Sequence, residues 1–112
     1  VQECERDLSF PSGYCYTWKG SNLRKGLGVL TRDRTVSSEP TAPAEWTHFL
    51  PVTLWGATSE LRLLGVWAYN HRAKRLGSQR VGDPLSVVQE LSSWLRGGPS
   101  IVAGDFNNSA IW

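Results

Sequence analysis

The chain has 112 residues with a net charge of +2, and about a quarter of them are Leu, Ile, Val or Phe. That is enough apolar matter for one folded domain and excludes a disordered or low-complexity chain. The longest unbroken apolar or glycine stretch, Leu63 to Tyr69, is too short for a membrane-spanning helix, and no charged-then-apolar leader opens the sequence, so a soluble, cytoplasmic protein without a membrane span is expected. The two cysteines, Cys4 and Cys15, are too few for a disulfide framework and lack zinc-ligand spacing, which predicts free thiols.

In chain order, Tyr14 to Trp18 and Leu27 to Thr31 are short β-rich runs separated by a Gly- and Lys-containing turn, which predicts paired strands. Lys25-Gly26-Leu27-Gly28 lacks the spacing of a phosphate-cradling loop, and its glycines are expected to permit a tight strand entry. Arg32 to Glu45 is rich in Thr, Ser, Pro and Ala, and Pro40 and Pro43 exclude a helix, leaving a loop or an irregular edge strand. His48 to Trp55 and Glu60 to Tyr69 flank the polar turn 56–59, an antiparallel hairpin in which Pro51 is expected at an edge or bulge.

A helix is predicted from Pro84 to about Arg96. Asp83 supplies an N-cap, Pro84 suits the first helical position, Gly97-Gly98 offers a C-cap and Pro99 stops the helix. Leu85, Val88, Leu91 and Leu95 recur at helical spacing and are expected to pack on a sheet. The apolar strand Ser100 to Gly104 follows. Strand, helix, strand is a crossover unit that makes Leu61–Tyr69 and Ile101–Gly104 parallel, so the fold class is α/β (α+β), a mixed sheet with a flanking helix. The six tryptophans fall mostly in predicted elements and read as core.

The most specific chemical signal is Gly104-Asp105-Phe106-Asn107-Asn108 at the end of that strand. Alternation along an extended backbone puts Asp105 and Asn107 on one side and Phe106 on the other. A carboxylate and an amide oxygen converging beyond the carboxyl end of a strand suit a hard cation such as Mg²⁺; an Asx-turn that merely ends the strand is the simpler alternative. Arg72, Lys74, Arg75 and Arg80 form an acid-free basic run that can face phosphate, or remain a solvated loop. An isolated His71 beside that run reads as exposed rather than as a general base.

Ile101 to Asn107 (I-V-A-G-D-F-N) after a helix and a Gly-Pro turn, Gln2-Glu3 at the start, and Trp18 to Val29 (W-K-G-S-N-L-R-K-G-L-G-V) between them resemble, in identity and order, the endonuclease/exonuclease/phosphatase superfamily, the deoxyribonuclease-like fold. The resemblance implies a two-sheet sandwich flanked by helices and a metal-dependent phosphoester hydrolase, a nuclease or a phosphatase. It assigns Glu3 as ligand for Mg²⁺ (or Mn²⁺), Asp105 as the group that orients or activates water, and Asn107 as a contact to the scissile phosphate. Tyr69, Asn70 and Arg72, at the end of the preceding strand, become substrate-binding candidates. The substrate would be a phosphoester, nucleic acid among the options. The rival reading is a non-catalytic module of the same fold that contacts nucleic acid or a protein partner through the basic run.

The family also uses an opening strand bearing Asn and a later S-D-H or D-H segment, and neither occurs here. Together with a start inside a strand and a stop soon after the G-D-F-N turn, this predicts an incomplete domain. Such a domain would be nearly inactive alone and prone to self-association through an exposed sheet face.

Overall fold

In the computed structural model of the chain, residues 2–38, 42–43, 46–68 and 84–106 are described, with the backbone alone at 2, 3 and 38. They form two sheets and a helical layer. One sheet holds β1 (Gln2–Cys4), β2 (Tyr14–Asn22) and β3 (Lys25–Arg32) in the order β1-β3-β2; the other holds β4 (Thr35–Ser38), β5 (Phe49–Trp55), β6 (Glu60–Trp67) and β7 (Ser100–Asp105) in chain order. Strands β2 and β3 are antiparallel, as are β4 with β5 and β5 with β6, whereas β6 and β7 are parallel. The mixed sheet and the crossover therefore follow the sequence pattern. The architecture is α+β, dominated by strands. No described helix is long and apolar enough to cross a membrane.

Period-2 alternation sorts β5 and β6 onto two cores. Leu50, Val52, Leu54 and Trp67 join Leu27 and Val29 of β3 between the two sheets. Phe49, Leu64, Val66 and Ala68 instead meet Val87, Leu91 and Leu95 of the helical layer. Val52, Leu64 and Val66 are fully buried. The near-continuous apolar sequence of these strands is the signature of a sheet covered on both faces.

Pro51 occupies an inner strand rather than an edge, which corrects the sequence reading. Its position remains tolerable because the ladder with β4 begins at Ser38 opposite Val52, one residue further along, so on that side Pro51 needs no described strand partner. The segment 32–45 does contain the edge strand β4.

The outer face of the first sheet is closed by aromatic rings. A side chain at Gly26 or Gly20 would run into the Trp18 indole, and one at Gly28 into the Tyr16 ring 2.6 Å away. The glycines of K-G-L-G, at the entry to β3 as expected, thus also form a floor for cross-strand rings. The Tyr16 hydroxyl donates to the Glu5 carbonyl (2.7 Å) and lies 3.2 Å from the Cys4 sulfur, and the Phe10 ring sits tilted against Tyr16 with centroids 5.2 Å apart, which ties residues 5–10 over this face. Cys4 and Cys15 form no disulfide; their backbones pair with Gly26 and Thr31, five residues apart along β3.

The helical layer departs from the expected single helix. It is split into α1 (Pro84–Glu90) and α2 (Ser92–Arg96) at Leu91 (φ −86°, ψ 7°). The Leu91 N–H still donates to the Val87 carbonyl (2.9 Å) and the Leu95 N–H to that of Leu91 (2.8 Å), so the path stays helical. Leu85 is 65% exposed, and Val87 takes its place in the buried stripe. The reason is angular: Val87, Leu91 and Leu95 are spaced i, i+4, i+8, and Val88 and Trp94 flank that line, whereas Leu85 falls outside it.

Gly97 is in ordinary helical conformation (φ −71°, ψ −4°), so it is not a left-handed cap. A side chain at Gly97 would meet the guanidinium of Arg62 of β6, which donates to the Trp94 carbonyl and, at 3.1 Å, to Glu60. An arginine on the last carbonyls of a helix satisfies groups that the helix itself leaves unpaired. The predicted N-cap Asp83 lies outside the described residues.

Leu91→Ala is expected to lower stability by about 2 to 5 kcal/mol, because it empties a buried site between helix and sheet. Leu85→Ala should change it by less than about 0.5 kcal/mol. Urea unfolding of both variants checks which face is buried.

Candidate functional site

Five strands bring their ends to one end of the molecule. Trp67 ends β6 and pairs with Asp105, which ends β7. The Ala68 N–H donates to the Asp105 carbonyl (2.7 Å), so the two strands stay joined to their tips. His48, just before β5, accepts the Trp67 N–H at its carbonyl (2.9 Å). Lys25 opens β3 and lies over the Trp67 ring, its Nζ 5.5 Å from the centroid. β1 runs beside the same part of β3, Gln2 opposite Leu27 and Cys4 opposite Gly26, with an irregularity between them at Glu3.

Beside this end lies a cleft of about 540 Å³ between β3 on one sheet and β6 and β7 on the other. That volume suits a small ligand, for which sites of roughly 300–1,000 Å³ are usual. Its lining is apolar or glycine, including Leu27, Leu63, Gly65 and Ala103, apart from Asp105 at the end of β7. Phe106 packs instead into the helix-side core. The alternation of Asp105 and Phe106 is therefore as the G-D-F-N period requires: the carboxylate belongs to the cleft and the ring to the core.

Gly104 has a structural reason to be glycine. Its φ is +148°, and a Cβ there would collide with the Val66 carbonyl of the neighbouring strand. Only a residue without a side chain lets β7 close against β6 at this point and bring Asp105 level with Trp67.

His48 was given no role by the sequence, yet it packs against Trp67 with ring centroids 5.1 Å apart, and its Nδ1 lies 3.0 Å from Thr47 Oγ1. Burial holds the imidazole below its ordinary pKa, so it favours the neutral form. Lys25 was likewise missed. Pairing register is the signal that would have found His48, because the hairpin sets it beside Trp67; nothing in the local sequence sets Lys25 across from the same ring, because β3 belongs to the other sheet.

Of the residues singled out by sequence, Asp105 is at the cleft and the backbone of Glu3 is in β1. The Glu3 side chain, Asn107, Tyr69, Asn70, Arg72 and the rest of the basic run to Arg80 lie outside what is described, as does His71. Among the described residues no three His, Cys, Asp or Glu side chains gather as a metal cage. Among the tryptophans, Trp67 is core, Trp46 and Trp94 pack on the helix-side core, and Trp55 is 47% exposed. No protein-family profile matches the chain, and no curated protein matches it in sequence.

Two outcomes test this geometry. Gly104→Ala should destabilise the fold by at least about 2 kcal/mol through backbone strain and collision, while Gly98→Ala, where a Cβ would meet Arg62 at an ordinary 3.7 Å, should be close to neutral; thermal unfolding distinguishes them. The second concerns pH. A histidine whose folded pKa lies below its unfolded value of about 6.5 is protonated first in the unfolded chain, so its contribution is lost as pH falls through that value and is fully present above it. The urea midpoint should therefore drop between about pH 7 and pH 5, and His48→Gln should flatten that slope. An unchanged slope would assign the acid sensitivity to other groups.

Proposed function

We propose that the chain is a segment of a metal-dependent phosphoester hydrolase of the endonuclease/exonuclease/phosphatase class, a nuclease or a phosphatase, contributing part of a site at the cleft end of β7. The observation that carries the reading is Asp105: the carboxylate of the G-D-F-N turn stands at the carboxyl end of a parallel strand, on the rim of a cleft between the two sheets. Ligands of α/β sheets bind beyond the carboxyl ends of the strands.

In this reading Glu3, on the strand beside the cleft-lining β3, and Asp105 hold Mg²⁺ or Mn²⁺. A hard cation needs only one or two carboxylates when water and substrate oxygens complete its shell. Bound there, the metal would offset the negative charge that builds on the phosphate oxygens and the leaving group.

Asp105 orients the attacking water and accepts its proton, a role that requires hydrogen-bond reach to the water, about 2.6–3.2 Å. The Asn107 amide donates to a phosphate oxygen. Tyr69, Asn70 and Arg72 follow directly on the tip of β6 in sequence, next to Asp105 in the strand pairing, and are assigned to the substrate phosphate. Arginine suits that task through paired N–H donors. The substrate is a phosphoester, with nucleic acid one candidate.

Calorimetric titration of the chain with Mn²⁺ tests the reading together with a phosphodiester cleavage assay. Glu3→Ala and Asp105→Ala should each weaken Mn²⁺ binding by about tenfold or more, equivalent to ~1.4 kcal/mol, and Asp105→Ala should abolish any metal-dependent cleavage. Unchanged Mn²⁺ affinity in both variants would refute the metal site and favour a non-catalytic binding module.

A further inference from the structure

Among the described residues two sheets leave four edges, and three of them are blunted. β1 has only three residues and an irregular register. β2 carries a bulge between Lys19 and Asn22, Lys19 donates to the Pro43 carbonyl (2.7 Å), and the strand lies against β4, the remaining edge on that side. β4 is itself four residues long and polar. Short strands, bulges, lysines and covering segments are the ordinary means by which edges are kept from pairing with other chains.

Among the described residues β7 shows none of these. It pairs with β6 without a register shift from Arg62↔Ser100 to Trp67↔Asp105, Gly104 (φ +148°) being its one unusual backbone position. It carries no charge and no proline from Ser100 to Gly104, and all five of those residues are exposed, Ile101 by 47% and Val102 by 36%. Among the described residues only β6 pairs with it. The edge offers β-branched apolar side chains on both faces: Ile101 shares the cleft side with Leu63, and Val102 the helix side with Leu64.

The geometry points to β7 as a homodimerisation edge, pairing antiparallel with β7 of a second copy so that two four-stranded sheets join into one of eight. A two-fold axis normal to the sheet must match residues on the same face, and the register centred on Val102 does so. It opposes Val102 to Val102 of the other copy, Ile101 to Ala103 and Ser100 to Gly104. The strand is thus its own complement. Both charges fall at the far ends: each Asp105 lies opposite Pro99, and the two carboxylates are separated by six residues of strand, roughly 20 Å, so like charges are never opposed. Shifting the register two residues so that Ala103 faces Ala103 would put each Asp105 against Ile101, and it is disfavoured for that reason. A second copy, unlike an arbitrary peptide, supplies this pattern at the same concentration as the chain itself. The interface is edge-to-edge and small, so the dimer is expected to be reversible and concentration-dependent.

Sedimentation equilibrium over about a hundredfold range of concentration tests it. The mass should rise from one chain to two and stop there. Ile101→Lys and Val102→Lys, each checked for native circular dichroism, should raise the dissociation constant by about tenfold or more. Amide exchange of the unaltered chain supplies a measurement that needs no variant: protection at Ile101 to Ala103 should increase with concentration, while protection in β5 stays constant. A chain that remains monomeric, a dimer indifferent to both substitutions, open-ended growth beyond two chains, or protection of β7 that does not depend on concentration would each overturn the proposal. None of these outcomes bears on Mn²⁺ binding, so this pairing and the hydrolase reading stand or fall separately.

Discussion

The arrangement depends on β6 being buried on both faces. Leu63, Gly65 and Trp67 face the first sheet, and Leu64, Val66 and Ala68 face the helices. A strand covered twice is apolar where both layers cover it, here from Leu63 to Trp67, while Glu60 and Arg62 fall at its opening end. The antiparallel hairpin with β5 and the parallel pairing with β7 supply its two flanks. Once β6 is fixed, the positions of its neighbours are fixed too: β5 on one flank by a short turn, β7 on the other by the crossover, β3 stacked across the inter-sheet core.

That constraint also explains where polar chemistry can collect. The interior of the strands is committed to packing, so groups such as Lys25, His48 and Asp105 are available only where strands end. Because β6 and β7 are parallel while β3 and β5 begin where β6 stops, one end of the molecule gathers two strand tips and two strand starts. The rings of Trp67 and His48 close that end of the core, and the cation of Lys25 rests on the Trp67 face, an attraction of about 0.5 to 2 kcal/mol according to exposure. Gly65 leaves part of the space between the facing strands unfilled, since a side chain there would point toward Leu27 of β3.

Glycine and arginine positions show how far local reading carries. The Gly97-Gly98 pair reads as a helix C-cap and the K-G-L-G run as a tight strand entry, and Gly97 does cap α2 while β3 does open at Lys25. In each case the glycine answers to a side chain distant in sequence, Arg62 in the first and Trp18 or Tyr16 in the second. Leu85 is a similar case. Helical spacing groups it with Leu91 and Leu95, but Val87 lies closer to the line the sheet selects.

By itself the sequence determined the elements and their order: the hairpin around residues 56–59, the helix boundary at Pro84, the parallel crossover to Ile101–Gly104, and Asp105 with its carboxylate set apart from Phe106. Those features are local, written in alternation, in turn residues and in the stop at Pro99, and a short window of chain contains all the information they need. Only the tertiary structure decided which face of the helix is buried, that Pro51 sits in an inner strand, that Lys25 and His48 meet on Trp67, and that Gly104 must lack a side chain. Each of these depends on which residue lies opposite across a sheet or between layers, and the partner is set by the packing of the whole chain.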